Sequence, residues 1–168
     1  LFAVDISPKR AAGAAMGVIG VFSYIGAALQ ENISGHLIER GMRLAAERDA
    51  IETVGWGHLW SVIHAGLSGD SPRAMVHAQQ ALDIAERIGD SFSRAWAWDR
   101  MGFAACLQGD WRGAIEAVQR SQAIAAEHRT ASDAGIWHLM TLGEAHLGLG
   151  DAARATELLR EAVELADR

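Results

Sequence analysis

The sequence has few of the residues that cross-link or interrupt a chain. Its 168 residues contain one cysteine, Cys106, two prolines, Pro8 and Pro72, and one lysine, Lys9. One cysteine can form neither an internal disulfide nor the cysteine pair of a zinc motif, so a reducing compartment is compatible with the sequence. The scarcity of proline, together with abundant alanine, leucine, glutamate and arginine, indicates an all-α protein.

Charge is unevenly distributed along the chain. The whole chain carries a net charge of −6, of which residues 1–43 contribute +1 and the remainder −7. An acidic body of this kind is unsuited to the phosphate backbone of a nucleic acid. The charge therefore argues against a nucleic-acid partner.

Gly-Asp pairs mark an internal repeat with a period of about 40 residues. The pairs beginning at Gly69, Gly109 and Gly150 are 40 and 41 residues apart, and aligning them brings further positions into register. The aligned columns hold the tryptophans Trp56, Trp96 and Trp137, then Ala74, Ala114 and Ala155, then Ala81, Ser121 and Ala162. Several columns shared by three units are the signature of a repeat architecture.

Each unit is predicted to be a pair of helices. The glycine supplies a left-handed residue that ends the first helix, and the aspartate caps the second. The alanines let the two helices of a pair approach closely. The predicted first helices are Ile51–Leu67, Phe92–Leu107 and Ala134–Leu149, and the predicted second helices are Pro72–Ile88, Trp111–His128 and Ala152–Ala166. The units span about residues 51–88, 91–128 and 131–168, within a repeat domain at 44–168.

The segment "LGEAHLGLGDAARATELLREAVELA", Leu142–Ala166, resembles a tetratricopeptide repeat. The Leu-Gly pair of that family falls on Leu142-Gly143, its turn glycine on Gly150, and its packing alanines on Ala155 and Ala162. The resemblance covers about residues 51–168, with about six residues more per unit than the usual 34, which we place in the links. It implies an α-solenoid with a groove that binds peptides or helices. Units of this length resemble the sensor arrays of bacterial transcription regulators and adenylate cyclases.

The tryptophan column provides the candidate binding residues. In the family this column faces the groove, so the predicted partner contacts are Trp56, Trp96, Asp99, Arg100, Phe103, Trp137, Met140 and Glu144. Large aromatic side chains of this kind anchor protein interfaces. Two other interpretations stay open: the tryptophans pack between neighbouring helix pairs, or they form a small-molecule sensor site.

Catalytic and metal-binding chemistry is not indicated by the spacing of the remaining candidates. His58 and His64 are six residues apart, and His138 and His146 are eight apart, whereas a helical zinc motif needs two histidines four apart. Cys106 has no evident base partner and fits a small core residue. We therefore expect a protein with no enzymatic activity, cofactor or metal.

The beginning of the chain has a different character. Residues 11–29 carry no charge and approach the roughly 20 residues that cross a bilayer. The segment "DISPKRAAGAAMGVIGVFSYIGAALQENISGHLIE", Asp5–Glu39, resembles one transmembrane helix of the organophosphate:phosphate antiporter branch of the major facilitator superfamily. The expected fold is therefore a hydrophobic, transporter-like helix within residues 1–43, followed by the helical array.

Two function classes follow from these two segments. The first is a protein-interaction scaffold or sensor, whose repeat domain would be cytoplasmic. The alternative is a fragment of a membrane transporter with an appended repeat region, whose helix at 11–29 would enter the membrane. A buried helix that caps the array is the third interpretation of the same run.

Overall fold

In the computed structural model the described residues are 33–128 and 135–167. All regular secondary structure among them is α-helical. The helices are α1 (33–46), α2 (Ile51–Leu67), α3 (Ser71–Ile88), α4 (Ser91–Leu107), α5 (Trp111–His128), α6 (Gly135–Gly148) and α7 (Ala152–Ala166). The six helices predicted from the repeat are confirmed, each with bounds within one residue of those expected.

Each predicted Gly-Asp junction has the expected local structure. Gly69, Gly109 and Gly150 have φ of +73°, +76° and +83°, a left-handed conformation that glycine adopts without a side-chain clash. The aspartate that follows each glycine accepts a hydrogen bond from a backbone N–H in the first turn of the next helix, at 3.0–3.1 Å. These contacts satisfy donors that a helix start otherwise leaves unpaired.

A further Gly-Asp pair, outside the repeat alignment, joins the first helix pair to the second. Gly89 has φ +70°, and the Asp90 carboxylate accepts hydrogen bonds from the N–H groups of Phe92 and Ser93 at 3.2 and 3.0 Å. The link between α3 and α4 is therefore two residues long. The expectation of a long link is wrong here, because the additional residues lengthen the helices to 17 and 18 residues. The corresponding link at 129–134 lies outside the described residues.

The helices stack in sequence order. Each first helix packs against the second helix of its own pair, and each second helix packs against the first helix of the next pair. The first helices also contact one another, α2 with α4 and α4 with α6. This arrangement is the predicted α-solenoid of three helix pairs, and it places α2, α4 and α6 side by side.

Small residues fill the contacts between helices. All five alanines of the repeat columns are buried: Ala74, Ala81, Ala114, Ala155 and Ala162. Space at Gly102 is tight, because a Cβ would lie 3.0 Å from Cγ2 of Val118 and 3.2 Å from the Ala114 carbonyl oxygen. The backbones of α4 and α5 are therefore close together at this level, and larger side chains would separate them.

The described residues belong almost entirely to one compact unit. Contacts divide the chain into Leu1–Leu37 and Ile38–Arg168, and helices α2–α7 lie in the second unit. No helix within 33–128 or 135–167 has the length and apolar character needed to cross a membrane. The uncharged run at 11–29 lies outside the described residues, so the transporter-like helix stays a prediction, as does the domain boundary after residue 43.

Candidate functional site

The neighbouring faces of α2, α4 and α6 border a partly open cavity of about 160 Å³. One lining residue of each repeat comes from the tryptophan column. The lining residues are Trp56, Leu59, Trp60 and Ile63 of α2, Trp96 and Arg100 of α4, and Trp137 of α6. Equivalent positions of three successive units thus converge on one apolar space.

Aromatic rings form the wall of this cavity between α2 and α4. The ring centroids of Trp56 and Trp96 lie 6.4 Å apart, and Phe92 lies 5.9 Å from Trp56 and 6.4 Å from Trp96. The planes are tilted or edge-on, which aromatic pairs prefer to face-to-face stacking. Three mutually packed rings hold this wall in a fixed shape. Trp60 and Trp137 are the open side, with exposed fractions of 59% and 41%.

Arg100 is the charged residue of the lining. Its guanidinium carbon lies 5.2 Å from the ring centroid of Trp96 and 4.7 Å from that of Trp137, so it interacts with both aromatic faces. The side chain is almost fully buried, and this desolvation lowers the pKa of Arg100, partly offset by the neighbouring Asp99 carboxylate. A buried cation stacked between aromatic rings is rigid and poorly solvated. It favours an oxygen-bearing group that can replace the lost water.

Asp99 lies behind this wall, in the interior between α4, α5 and α6. Its side chain is fully buried, and neither carboxylate oxygen has a hydrogen-bond partner among the described residues. The nearest nitrogen atoms that can face the carboxylate are Arg100 Nη1 and His138 Nε2, both at 3.6 Å. Desolvation raises the pKa of Asp99 to about 6, against the opposing effect of Arg100. Asp99 therefore does not line the cavity.

Ser121, His138 and Asp99 are close together but do not form a nucleophilic triad. The Ser121 hydroxyl donates to the Ala95 carbonyl at 2.7 Å, so the 2.8 Å contact with His138 requires Nε2–H to donate to Ser121 Oγ. A triad needs the opposite arrangement, with the carboxylate on the other ring nitrogen and the serine proton facing the imidazole. Burial, together with the Arg100 charge, lowers the pKa of His138 to about 4. The imidazole is therefore neutral at pH 7, and the cluster is a buried polar contact between helices.

The remaining predicted partner contacts are placed differently. Phe103 is half-buried and packs against the core formed by Val62, Ala65 and neighbouring residues of the first two pairs. Met140 and Glu144 are exposed on α6, outside the lining of the cavity. Of the eight predicted residues, Trp56, Trp96, Arg100 and Trp137 meet at the cavity. That a partner binds there stays a prediction.

The reactive and metal-ligating side chains of the described residues form no metal-binding cluster of three or more groups. No group of three or more His, Cys, Asp or Glu side chains within 33–128 and 135–167 is arranged to hold a metal ion. Burial raises the pKa of the Cys106 thiol to about 12, and its Sγ donates to the Thr141 carbonyl at 3.6 Å. The thiol therefore stays protonated at neutral pH, as expected for a small core residue.

A pair of histidines escaped the sequence analysis. Nδ1 of His58 on α2 and Nδ1 of His77 on α3 are 3.0 Å apart, although the residues are 19 positions apart in the chain. Spacing rules detect partners on one helix, and these two meet across a helix pair. One sequence signal was available: the predicted turn between α2 and α3 places the middle of α2 against the middle of α3.

Comparisons with known proteins agree with this architecture. Residues 93–168, the second and third helix pairs, match the family model described as "Tetratricopeptide repeat". The crystal structure of the TPR domain of Arabidopsis FLU is similar with a TM-score of 0.58 and 18% sequence identity, over 67% of this chain and 94% of that chain. No curated protein matches the chain. The described array is thus built from tetratricopeptide-like helix pairs.

Proposed function

We propose that the chain is a non-catalytic protein-interaction module that binds an extended peptide segment across its first helices. The cavity would hold one large apolar side chain of that segment as an anchor. The observation that supports this most directly is the convergence of Trp56, Trp96 and Trp137, one from each unit, on a single cavity. Tryptophan and arginine are the residue types most enriched at the energetic centres of protein interfaces.

The size of the cavity favours a side chain over a complete small molecule. Its volume is about 160 Å³. Sites for drug-sized ligands enclose about 300–1,000 Å³, whereas an apolar cavity of about 150 Å³ holds a single benzene ring. The space therefore fits one aromatic or branched aliphatic side chain. This argues against the alternative of a small-molecule sensor, unless its ligand is of that size.

Two hydrogen-bond donors beside the cavity indicate which chemical group of the bound segment lies next to its anchor side chain. Trp96 Nε1 is buried and has no hydrogen-bond partner among the described residues, and Arg100 is a desolvated cation. An unpaired buried donor costs about 1–3 kcal/mol, which an acceptor oxygen recovers. We infer that the bound segment presents a carboxylate or a carbonyl oxygen next to its anchor side chain. The net charge of −7 on the region after residue 43 is unfavourable for nucleic acid at the same surface.

A peptide library selection tests the proposal. The immobilised chain would be the target, and Trp137→Ala would be the matched target, because Trp137 is partly exposed and its truncation opens the cavity without removing a fully buried residue. We expect enriched sequences that share a large apolar residue beside an acidic residue or a free C-terminus. For a synthetic peptide of that sequence, Trp137→Ala should weaken the binding measured by fluorescence polarisation at least tenfold.

The control is a tryptophan outside the cavity. Trp98 of α4 lies outside the cavity lining and packs against the guanidinium of Arg120, at 4.6 Å from the ring centroid. Trp98→Phe should leave the affinity within about twofold. Equal enrichment on both targets, or equal losses in the two variants, would mean that the tryptophan column serves helix packing and not partner binding.

Two narrower hypotheses rest on resemblance alone. A sensor role within a larger bacterial regulator is proposed from the length and character of the repeat units. A membrane-transport origin is proposed from residues 5–39, most of which lie outside the described residues. Both differ from the interaction module in what they require of the rest of the protein: a nucleotide-binding or cyclase domain for the first, and further membrane-spanning segments for the second.

A further inference from the structure

The two histidines that meet across the first helix pair are close enough to bind one ion together. Their Nδ1 atoms are 3.0 Å apart, and the ring centroids are 5.2 Å apart with an angle of 34° between the planes. His58 and His77 are both half-buried. Neutral imidazole is the commonest metal ligand among side chains, and it binds through either ring nitrogen.

The separation of the two nitrogens is compatible with one shared ion. Two nitrogens at about 2.0–2.1 Å from one ion lie about 2.9 Å apart when they subtend a right angle, and about 3.3 Å apart at a tetrahedral angle. The observed 3.0 Å, which is the length of a hydrogen bond between the two rings, lies within this range. Imidazole ligands suit Cu²⁺ and Ni²⁺, and Cu²⁺ has the highest affinity for such sites among the divalent first-row metals.

The surroundings of the pair leave room for an ion and its water ligands. A hollow of about 410 Å³ beside His58 is lined by the side chains of Glu39, Met42, Arg43, Ala46 and Val54. The Glu39 carboxylate is paired with Arg73 at 2.8 Å. Three charged groups influence His77: Arg73 has the largest effect and lowers its pKa, whereas Glu39 and Asp70 raise it. Burial lowers the pKa of both histidines, which keeps them neutral and able to bind metal at pH 7.

We propose that His58 and His77 form a two-histidine site for a divalent transition-metal ion of the Cu²⁺ or Ni²⁺ class, with water completing its coordination. Without metal, one Nδ1–H donates to the other Nδ1. On binding, the donor imidazole moves its proton to Nε2, so that both Nδ1 lone pairs face the ion and no proton is lost from the neutral pair. The ion would connect α2 to α3 within the first helix pair. This site is separate from the tryptophan cavity, so the two proposals stand independently.

Copper binding to the full chain tests the site. One equivalent of Cu²⁺ should give an electron paramagnetic resonance spectrum with hyperfine structure from two imidazole nitrogens. Calorimetric titration should give one tight site, and the melting temperature should rise by several degrees with saturating Cu²⁺. A spectrum with oxygen donors alone would overturn the proposal without recourse to any variant.

Substitutions locate the site. His58→Gln and His77→Gln retain side-chain volume and a hydrogen-bonding amide, and each should lower the affinity for Cu²⁺ at least tenfold and abolish the metal-dependent rise in melting temperature. His128→Gln, at an exposed position in the last turn of α5, is the matched control and should stay within twofold. Unchanged affinity in either of the first two variants, or an equal loss in His128→Gln, would place the ion elsewhere and overturn the proposal.

Discussion

Packing in this array restricts the size of individual residues as much as their polarity. Gly102 is the clearest example, since any side chain there meets Val118 and the Ala114 carbonyl of the facing helix. Gly41 of α1 is the opposite case, because a Cβ there has nothing within 4 Å. The two glycines have the same helical environment and different neighbours. Their alanine variants therefore separate helix propensity from packing.

Gly102→Ala should destabilise the protein, and Gly41→Ala should stabilise it. Alanine is favoured over glycine in a helix by about 1 kcal/mol, which is the whole effect expected at Gly41. At Gly102 overpacking costs about 1–3 kcal/mol and outweighs that gain, because a backbone carbonyl cannot move aside as a flexible side chain can. Urea unfolding of the two variants measures both signs. Stabilisation by Gly102→Ala would show that α4 and α5 separate easily.

Asp99 and His138 should make opposing contributions to the pH dependence of stability. The pKa of Asp99 is raised from 3.8 to about 6 in the folded protein, so the folded state binds more protons and the contribution of Asp99 falls as pH rises between about 4 and 6. The pKa of His138 is lowered from 6.5 to about 4, so its contribution rises with pH across a similar window. The two contributions therefore largely cancel in the pH dependence of the stability of the wild-type protein.

Single substitutions separate the contributions of Asp99 and His138 to the pH dependence of stability. The difference in free energy of unfolding between Asp99→Asn and the wild type (variant minus wild type) should increase by about 1–3 kcal/mol from pH 4 to pH 6. The reason is that about 1.4 kcal/mol accompanies each unit of pKa shift. The same difference for His138→Gln should decrease over that range. Denaturant titrations at several pH values provide the measurement. Parallel profiles for all three proteins would mean that neither group titrates abnormally.

At the scale of helices, the sequence predicts much of this fold because the residues that end and begin the helices act locally. A glycine in a left-handed conformation and an aspartate that caps the next helix need no tertiary information, and they gave the helix bounds to within one residue. The same signal at Gly89-Asp90 lay outside the repeat alignment, and the additional residues of the unit were assigned to the links instead of the helices. Contacts across a helix pair, such as His58 with His77, or burial of a charge such as Asp99, follow from packing and leave no local pattern.

The Asp90 side chain caps α4 and should contribute measurably to the stability of the protein. Asp90→Ala should cost about 0.5–2 kcal/mol, the usual value for loss of a capping side chain. Desolvation raises the pKa of Asp90, but the hydrogen bonds with Ser93 and Phe92 together outweigh it and lower the pKa. The stabilisation by Asp90 is therefore present above the unfolded pKa and is lost as pH falls. The difference between Asp90→Ala and the wild type should therefore shrink in acid.

An exposed carboxylate elsewhere serves as the control for the cap. Glu116→Ala, on the exposed side of α5, should change the free energy of unfolding by less than about 0.5 kcal/mol. Thermal unfolding of both variants at pH 7 and at pH 3 gives the comparison. An equal effect of the two substitutions would show that α4 does not depend on its cap.

The whole array is a one-dimensional stack, and its stability should be distributed accordingly. Helix α4 packs against α2, α3, α5 and α6, whereas the contacts of α7 within the described residues are with α6. In a repeat protein each unit is stabilised by its own pair and by its neighbours. A helix with neighbours on one side opens at lower free energy than one in the middle.

Hydrogen exchange should therefore order the helices by position. We expect the amides of α7 to exchange faster than those of α4 and α5. Leu158→Ala and Val118→Ala both shorten buried apolar side chains, the first in α7 and the second in α5. Leu158→Ala should accelerate exchange in α6 and α7 alone, because opening of the last pair leaves the first two stacked. Val118→Ala removes support from the central pair, on which both neighbours depend, and should accelerate exchange throughout α2–α7. Uniform acceleration by both variants would mean that the three pairs unfold as one cooperative unit and that the nearest-neighbour description does not apply to this protein.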